Sequence, residues 1–280
     1  MKAIFRYPGS KWSIAEWIIG HFPADYEKMV YLEPFVGSGA VFFNKIPGAV
    51  ETINDLDSDI VNLFRVLREQ SEELKRALEL TPYAREEYNL AFEPCDDPVE
   101  KARRYMVKTT QAIGIKKGKG WRVCRQTDVG GNASKWGGAP KLLEEIASRL
   151  QANPDHHVQI EHRDALKLIS MFNSPDVLMY LDPPYLGDTR KSGAVYAHEM
   201  SEQGHRELLE LIAQSKAKII ISGYNSGLYN TMLSGWNKDE KQVVVQSGAD
   251  ATEVIWMNYE PPMRQYSIFE EGENGSPELV

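Results

Sequence analysis

The chain has 280 residues, with 32 Lys+Arg against 40 Asp+Glu, for a formal net charge of −8. Hydrophobic residues make up 42% and charged residues 26%, an ordinary globular balance, and no apolar run approaches the ~18 residues of a membrane span. Two cysteines, Cys95 and Cys124, exclude a disulfide scaffold, no Cys/His set has zinc-ligand spacing, and the start MKAIFRYPGSKW lacks the apolar stretch of a secretory leader, so a reduced, cytoplasmic protein without a metal is expected.

The first feature in chain order is a Pro-Gly turn, Arg6-Tyr7-Pro8-Gly9-Ser10-Lys11, with an aromatic on one side and a lysine on the other. Tyr31–Glu33 predicts a short strand running into Glu33-Pro34-Phe35-Val36-Gly37-Ser38-Gly39, and a helix follows from about Ala40. Ala49–Asn54 predicts the next strand, ending in Asn54-Asp55. Asp57–Leu80 predicts one long helix, because Ile60, Leu63, Phe64 and Leu67 recur at i, i+3, i+4 and i+7.

The interval from about Glu69 to Asn153 breaks the strand–helix alternation. It has helical stretches at Asp97–Ile113 and Pro140–Leu150 around a Gly/Lys-rich middle, Gly114–Gly138. From Lys101 to Lys141, eleven Lys+Arg face a single acid, Asp128, so this block carries +10 and the rest of the chain −18. Such asymmetry points to a polyanion, although a solvated loop has the same composition.

Beyond the interval, Val158–Glu161 reads as a strand and Ala165–Met171 as a helix. Val177–Leu181 is a continuous apolar run closed by Asp182-Pro183-Pro184-Tyr185, which predicts a buried parallel strand. Gln203–Ser215 is an amphipathic helix and Lys218–Ser222 a buried strand. Val243–Gln246 and Glu253–Met257 predict an antiparallel pair at one sheet edge. The fold class is therefore α/β, an open doubly wound sheet with helices on both faces and an inserted, mostly helical domain. The expected division is 1–68 plus 154–270 for the sheet domain, 69–153 for the insertion and 271–280 for a flexible tail.

Three of these motifs carry chemistry. In a doubly wound sheet, ligands sit at the carboxyl ends of the strands, and glycines there let the backbone approach closely. The glycine loop lacks the third glycine of a dinucleotide site, since Phe42 stands three residues past Gly39, and no Gly-Lys-Ser/Thr follows. A nucleoside without a pyrophosphate fits better. Asp55, at the next strand end, is placed to accept from ribose hydroxyls, while Asp57 or Asp59 suits a helix cap. Asp182–Tyr185 is the sharpest signal. Its prolines lock the backbone and remove two N–H donors, leaving an acceptor-rich ledge beside an aromatic ring, suited to the amino edge of a base.

The order Tyr-Pro-Gly-Ser-Lys, Glu-Pro-Phe-Val-Gly-Ser-Gly, Asn-Asp-Leu-Asp and Leu-Asp-Pro-Pro-Tyr resembles the Dam-type DNA adenine-N6 methyltransferases over nearly the whole chain. The resemblance implies a Rossmann-like methyltransferase fold, S-adenosylmethionine as cofactor and a flipped adenine in double-stranded DNA as substrate. It places Tyr7, Lys11, Glu33, Phe35, Gly37, Gly39 and Asp55 around the cofactor, with Lys11 near its methionine end. Asp164 would bond the cofactor adenine, or else cap the helix after it. Asp182 and the Pro183 carbonyl would accept from the target amino group, with Pro184 completing the ledge and Tyr185 stacking on the base.

The same resemblance makes the insertion a target-recognition region. Lys101, Arg103, Arg104, Lys108, Lys116, Lys117, Lys119, Arg122 and Arg125 would mostly touch phosphates, with Arg122, Arg125 or Lys135 reading guanine. Trp121 and Trp136 are expected to pack within the insertion. Relatives that recognise GATC tend to carry a Gly-x-Phe-Asn-Val-Pro-Phe-Gly stretch, where this chain has Thr127–Gly138 instead, a departure that leaves the target sequence open. His156, His157 and His162 read as solvated or capping residues. Rival readings are an RNA methyltransferase of the same chemistry, an inactive DNA-binding relative and, more distantly, a dehydrogenase. A monomer is expected.

Overall fold

The computed structural model describes residues 5, 7, 9–113, 120–123, 132–186, 199–244 and 250–262, with the backbone alone at 132, 134, 135 and 244. Seven strands form one sheet: β1 (Val30–Glu33), β2 (Val50–Asn54), β3 (His157–Glu161), β4 (Val177–Leu181), β5 (Lys218–Tyr224), β6 (Asn237–Val244) and β7 (Asp250–Met257). Their order is β3-β2-β1-β4-β5-β7-β6. The first five run parallel, and β7 is antiparallel to both β5 and β6. The chain reverses its direction of winding between β1 and β4, which opens a crevice at their carboxyl ends.

Alternation along the central strands divides the core. Leu178 and Tyr180 of β4 and Ile220 of β5 face one apolar cluster, while Val177, Met179, Leu181, Ile219 and Ile221 face the other. The first face is covered by α1 (Ala15–Ile19), α2 (Ala40–Asn44), α3 (Ser58–Glu69), α4 (Ser71–Glu79), α6 (Pro98–Gln111) and α7 (Asn132–Leu150). The second is covered by α8 (Ala165–Met171), α9 (Glu202–Ala213) and α10 (Gly227–Met232). Helices on both faces fulfil the doubly wound expectation. The helices from the 69–153 interval share the first cluster, through Leu74, Leu78, Met106, Trp136 and Leu143.

The long helix predicted over 57–80 is two helices, broken at Gln70 (φ −142°, ψ 42°). The apolar stripe continues across the break through Leu74 and Leu78, so periodicity does not reveal it. Glu72 and Glu73 fall in the first turn of α4, where the helix dipole favours acids, and the bend lets α4 lean on α6 and α7. Three short helices have no sequence signal: α1, α10 and α5 (Arg85–Leu90). Among the described residues no helix is long and apolar enough to cross a membrane.

A buried ion network ties α2, β2, α7 and the approach to β3. Glu51, fully buried, is bonded by Lys45, while its Oε2 lies 2.6 Å from both Arg149 Nη1 and His156 Nε2. Burial pushes the Glu51 carboxyl up, but Lys45 and Arg149 outweigh it and hold it below its ordinary value. His156 is thus a buried member of this network, not the solvated residue expected: the acid that holds it lies 105 positions away.

Candidate active site

The crevice holds a cavity of about 330 Å³ at the carboxyl ends of β1, β2, β3 and β4. Tyr7, Lys11, Glu33, Phe35, Gly37, Asp55, Asp164, Asp182 and Pro184 line it, so residues from widely separated motifs meet in one place. Pro183, Tyr185 and Gly39 are not among the lining residues.

The loop after β1 is shaped by its glycines. Gly37 has φ +47°, and a Cβ there would lie 2.7 Å from the Tyr7 ring. Gly39 has φ +69° and precedes α2; its Cβ would meet the Phe43 ring at 2.5 Å. Gly39 therefore serves helix entry and packing, one layer behind the cavity wall. Ser10 Oγ and Ser38 Oγ, 2.9 Å apart, tie the N-terminal turn to this loop. Buried Asn54 locks the strand ends together: its amide donates to the carbonyls of Pro34 (2.9 Å) and Arg163 (3.1 Å) and accepts from the Arg163 N–H (2.8 Å).

Asp55 is half-buried and held by two backbone donors, Gly37 N–H and Asp57 N–H, each at 2.9 Å. Asp57 caps α3 by accepting from the Asp59 N–H. Asp164 caps α8 by accepting from the Lys167 N–H at 3.0 Å, one of its two expected roles, and it also lines the cavity. Glu33 is fully enclosed and accepts from the Tyr31 hydroxyl at 2.6 Å. Burial pushes its carboxyl up to about 8, only partly opposed by that hydrogen bond.

Asp182 stands just past β4, held on both sides. Its Oδ1 accepts from Ser222 Oγ at 3.0 Å and its Oδ2 pairs with Lys11 Nζ at 3.0 Å. Lys11 is buried, donates to the Gly9 carbonyl at 2.7 Å and lies 4.7 Å from the centre of the Tyr185 ring. Tyr185 is buried, its hydroxyl bonded to Glu253 and its ring edge-on to Tyr224 at 4.6 Å. Burial, with Asp182 and Glu253 close by, raises the Tyr185 hydroxyl well above its ordinary value and keeps it protonated.

Ser222 and Glu253 escape sequence reasoning. Ser222 interrupts the apolar run of β5, and Glu253 is a buried acid within β7; both face the end of β4 only because the sheet sets these strands side by side. A polar residue within an otherwise apolar strand was the available signal.

The insertion differs from expectation in detail. All four basic residues of α6 are bonded within the protein. Arg103 bonds Glu100, Glu87 and Thr81; Arg104 bonds Glu100 and the Glu93 and Pro94 carbonyls. Lys101 and Lys108 reach Asp59 on α3. Burial alone would raise Asp59, but these two lysines hold it below the usual carboxylate range. Each of the four therefore has a structural tie within the protein, to acids that lie outside the basic block or at its edge. Arg122 donates through Nε to the Ala112 carbonyl at 2.8 Å. Trp136 is buried and donates to the Thr81 carbonyl, and Trp121 packs on Tyr83 at 5.2 Å, so both tryptophans pack as expected. Lys116, Lys117, Lys119 and Arg125, the Lys135 side chain, residues 127–131 of the Thr127–Gly138 stretch and the 271–280 tail lie outside the described residues. Among the described residues no group of three His, Cys, Asp or Glu side chains is placed to hold a metal.

Residues 7–247 match the family model of the D12 class N6 adenine-specific DNA methyltransferases. Over 288 residues the chain is 26% identical to the type II methyltransferase M1.LlaDCHI of Lactococcus lactis subsp. cremoris, an alignment covering 92% of this chain and 96% of that protein. Over 105 residues it is 30% identical to a DNA adenine methylase of Serratia marcescens, covering 33% of this chain and 37% of that one. Among solved structures, the rRNA methyltransferase aviRa from Streptomyces viridochromogenes aligns with a TM-score of 0.41 at 15% identity, covering 92% of this chain and 89% of that one. The chain belongs to the D12 class of N6 adenine-specific DNA methyltransferases.

Proposed function

We propose that the protein transfers a methyl group from S-adenosylmethionine to the N6 amino group of a flipped adenine in a specific double-stranded DNA sequence, with Asp182, Pro183, Pro184 and Tyr185 as the target-base ledge. The observation that carries this reading is the meeting of Asp182, the glycine loop and Asp55 around one cavity.

The cavity suits the cofactor. About 330 Å³ lies within the range of small-molecule sites, and the missing Cβ at Gly37 lets the Tyr7 ring pack against the loop at the cavity wall. Asp55 would take the ribose hydroxyls. Phe35 supplies an apolar wall, and Asp164 would accept from the cofactor's adenine amino group. Tyr7, Lys11 and Glu33 would line the remaining wall. When bound, the cofactor supplies a methyl group already activated on a positively charged sulfur.

What remains for the protein is placement and water exclusion. An adenine amino nitrogen is a poor nucleophile because its electron pair is delocalised into the ring. Asp182 and the Pro183 carbonyl would accept its two hydrogens, which favours a pyramidal nitrogen with a more localised pair. The bond the nitrogen would form to the methyl carbon replaces the bond from methyl to sulfur, the sulfur would keep that electron pair and leave as a neutral thioether, and the proton the nitrogen sheds would pass to Asp182 Oδ2, the acceptor at hand. Extrusion of the base from the duplex costs a few kcal/mol. The insertion around Lys116, Lys117, Lys119, Arg122, Arg125 and Lys135 would supply the grip on DNA that offsets this cost. A monomer acting in the cytoplasm completes the proposal.

Mass spectrometry of nucleosides from a host lacking adenine methylation tests it. Expression of the wild type is expected to yield N6-methyladenine in DNA, and Asp182→Ala none. Digestion with a GATC-cleaving, methylation-blocked nuclease should proceed, because the Thr127–Gly138 stretch departs from the GATC pattern. The absence of N6-methyladenine with soluble, folded wild type present in the cell would overturn the reading.

A further inference from the structure

Lys11 makes the contacts that the target amino group needs. Its ammonium lies 3.0 Å from Asp182 Oδ2 and 4.7 Å from the centre of the Tyr185 ring. An amino nitrogen seated on this ledge would donate to the same oxygen and lie against the same ring. The ammonium thus occupies the place the amino nitrogen needs, against the same oxygen and the same ring, so a seated base displaces Lys11. The displaced ammonium needs a counter-charge, because an unpaired buried charge is costly.

A second carboxylate stands within reach. Glu253 Oε1, on β7, is 3.8 Å from Lys11 Nζ, against 3.0 Å for Asp182. Glu253 is 4% exposed and accepts the hydroxyl of Tyr185. Burial lifts its carboxyl to about 7, opposed by Lys11, so closer approach of the ammonium favours its ionised form.

Resting on the reading of Asp182 as the base acceptor, we propose that Glu253 is a positioning residue that takes up the Lys11 ammonium when the target amino group claims Asp182. The shift closes a gap of less than an ångström beyond hydrogen-bond range and needs only side-chain rotation. It frees Asp182 to accept from the substrate and keeps the cation paired. The bond from Tyr185 to the same carboxylate holds the ring under the base throughout.

A double-mutant cycle tests this. Glu253→Gln keeps an acceptor for the Tyr185 hydroxyl and nearly the same volume but removes the charge. With saturating cofactor, its single-turnover methyl transfer to DNA is expected to fall about tenfold, while cofactor affinity by calorimetry stays within about twofold. The fluorescence of 2-aminopurine, placed as the immediate neighbour of the adenine the wild type methylates so that the target keeps its N6 amino group, should fall with it, reporting less extrusion of that adenine. Glu253→Asp keeps the charge and should recover most of the rate. In a Lys11→Met background, Glu253→Gln should add nothing further. Equal losses in both backgrounds, or a Glu253→Asp protein as slow as Glu253→Gln, would overturn the proposal while leaving the methyltransferase reading intact. A wild type that methylates no adenine in DNA would overturn both.

Discussion

The cavity at the carboxyl ends of β1, β2, β3 and β4 and the basic helix α6 both concentrate charge, and the fold treats them in opposite ways. On α6, Lys101, Arg103, Arg104 and Lys108 are each matched by acids or carbonyls that fix helix to helix. At the cavity, Glu33, Asp55 and Asp182 are held by neighbours and still line its wall. A count of charges along the sequence cannot separate these cases; the position of the opposing acids can.

The comparison is broken most severely at the buried network behind the cavity. Glu51→Gln leaves Lys45 and Arg149 without their shared anion, and is expected to cost about 3–5 kcal/mol of stability, read by denaturant unfolding. An unchanged midpoint would mean that this network does not hold α7 to the sheet.

Glu33 provides the next test. Its carboxyl is raised to about 8, so the folded state binds a proton that the unfolded chain releases near its ordinary value. The stability this contributes is full below the unfolded value and is lost as pH rises through about 8. Glu33→Gln keeps an acceptor for Tyr31 and should flatten the decline in melting temperature between those limits. An equally steep decline in the variant would place the linkage elsewhere.

At Gly37, alanine must adopt a left-handed φ and meet the Tyr7 ring at 2.7 Å. A loss of about 1–2 kcal/mol in stability is expected, with cofactor affinity falling alongside in calorimetry. Unchanged affinity would remove the loop from the cofactor site.

The smallest effect belongs to α6. Lys108→Met should cost about 0–1 kcal/mol and leave the salt dependence of DNA binding unaltered, because Lys108 is already paired with Asp59. Lys117→Ala should instead lower the salt slope by about 1. A lower slope for Lys108→Met would return α6 to the DNA interface.

How legible these regions were follows the range of the interactions. Val177–Leu181 was read with its observed bounds, because a continuous apolar run closed by two prolines is a local signal. The two-helix break at Gln70 was hidden by an apolar stripe that stays in phase. The motifs naming Asp55 and Asp182 were legible, since glycines and prolines constrain their own neighbours. Ser222 and Glu253 were not, because their meaning depends on strands set beside β4 by sheet order. The partners of Lys101 and Lys108 were equally hidden: Asp59 lies more than forty residues upstream.

The central claim is that the Asp182 ledge methylates adenine in DNA. Its most direct test is transfer of labelled methyl from S-adenosylmethionine by purified wild type and Asp182→Ala, with unmethylated duplex DNA and RNA as parallel substrates. The account predicts label on adenine N6 of DNA, lost in Asp182→Ala. Label confined to RNA, or transfer to DNA undiminished in Asp182→Ala, would contradict it.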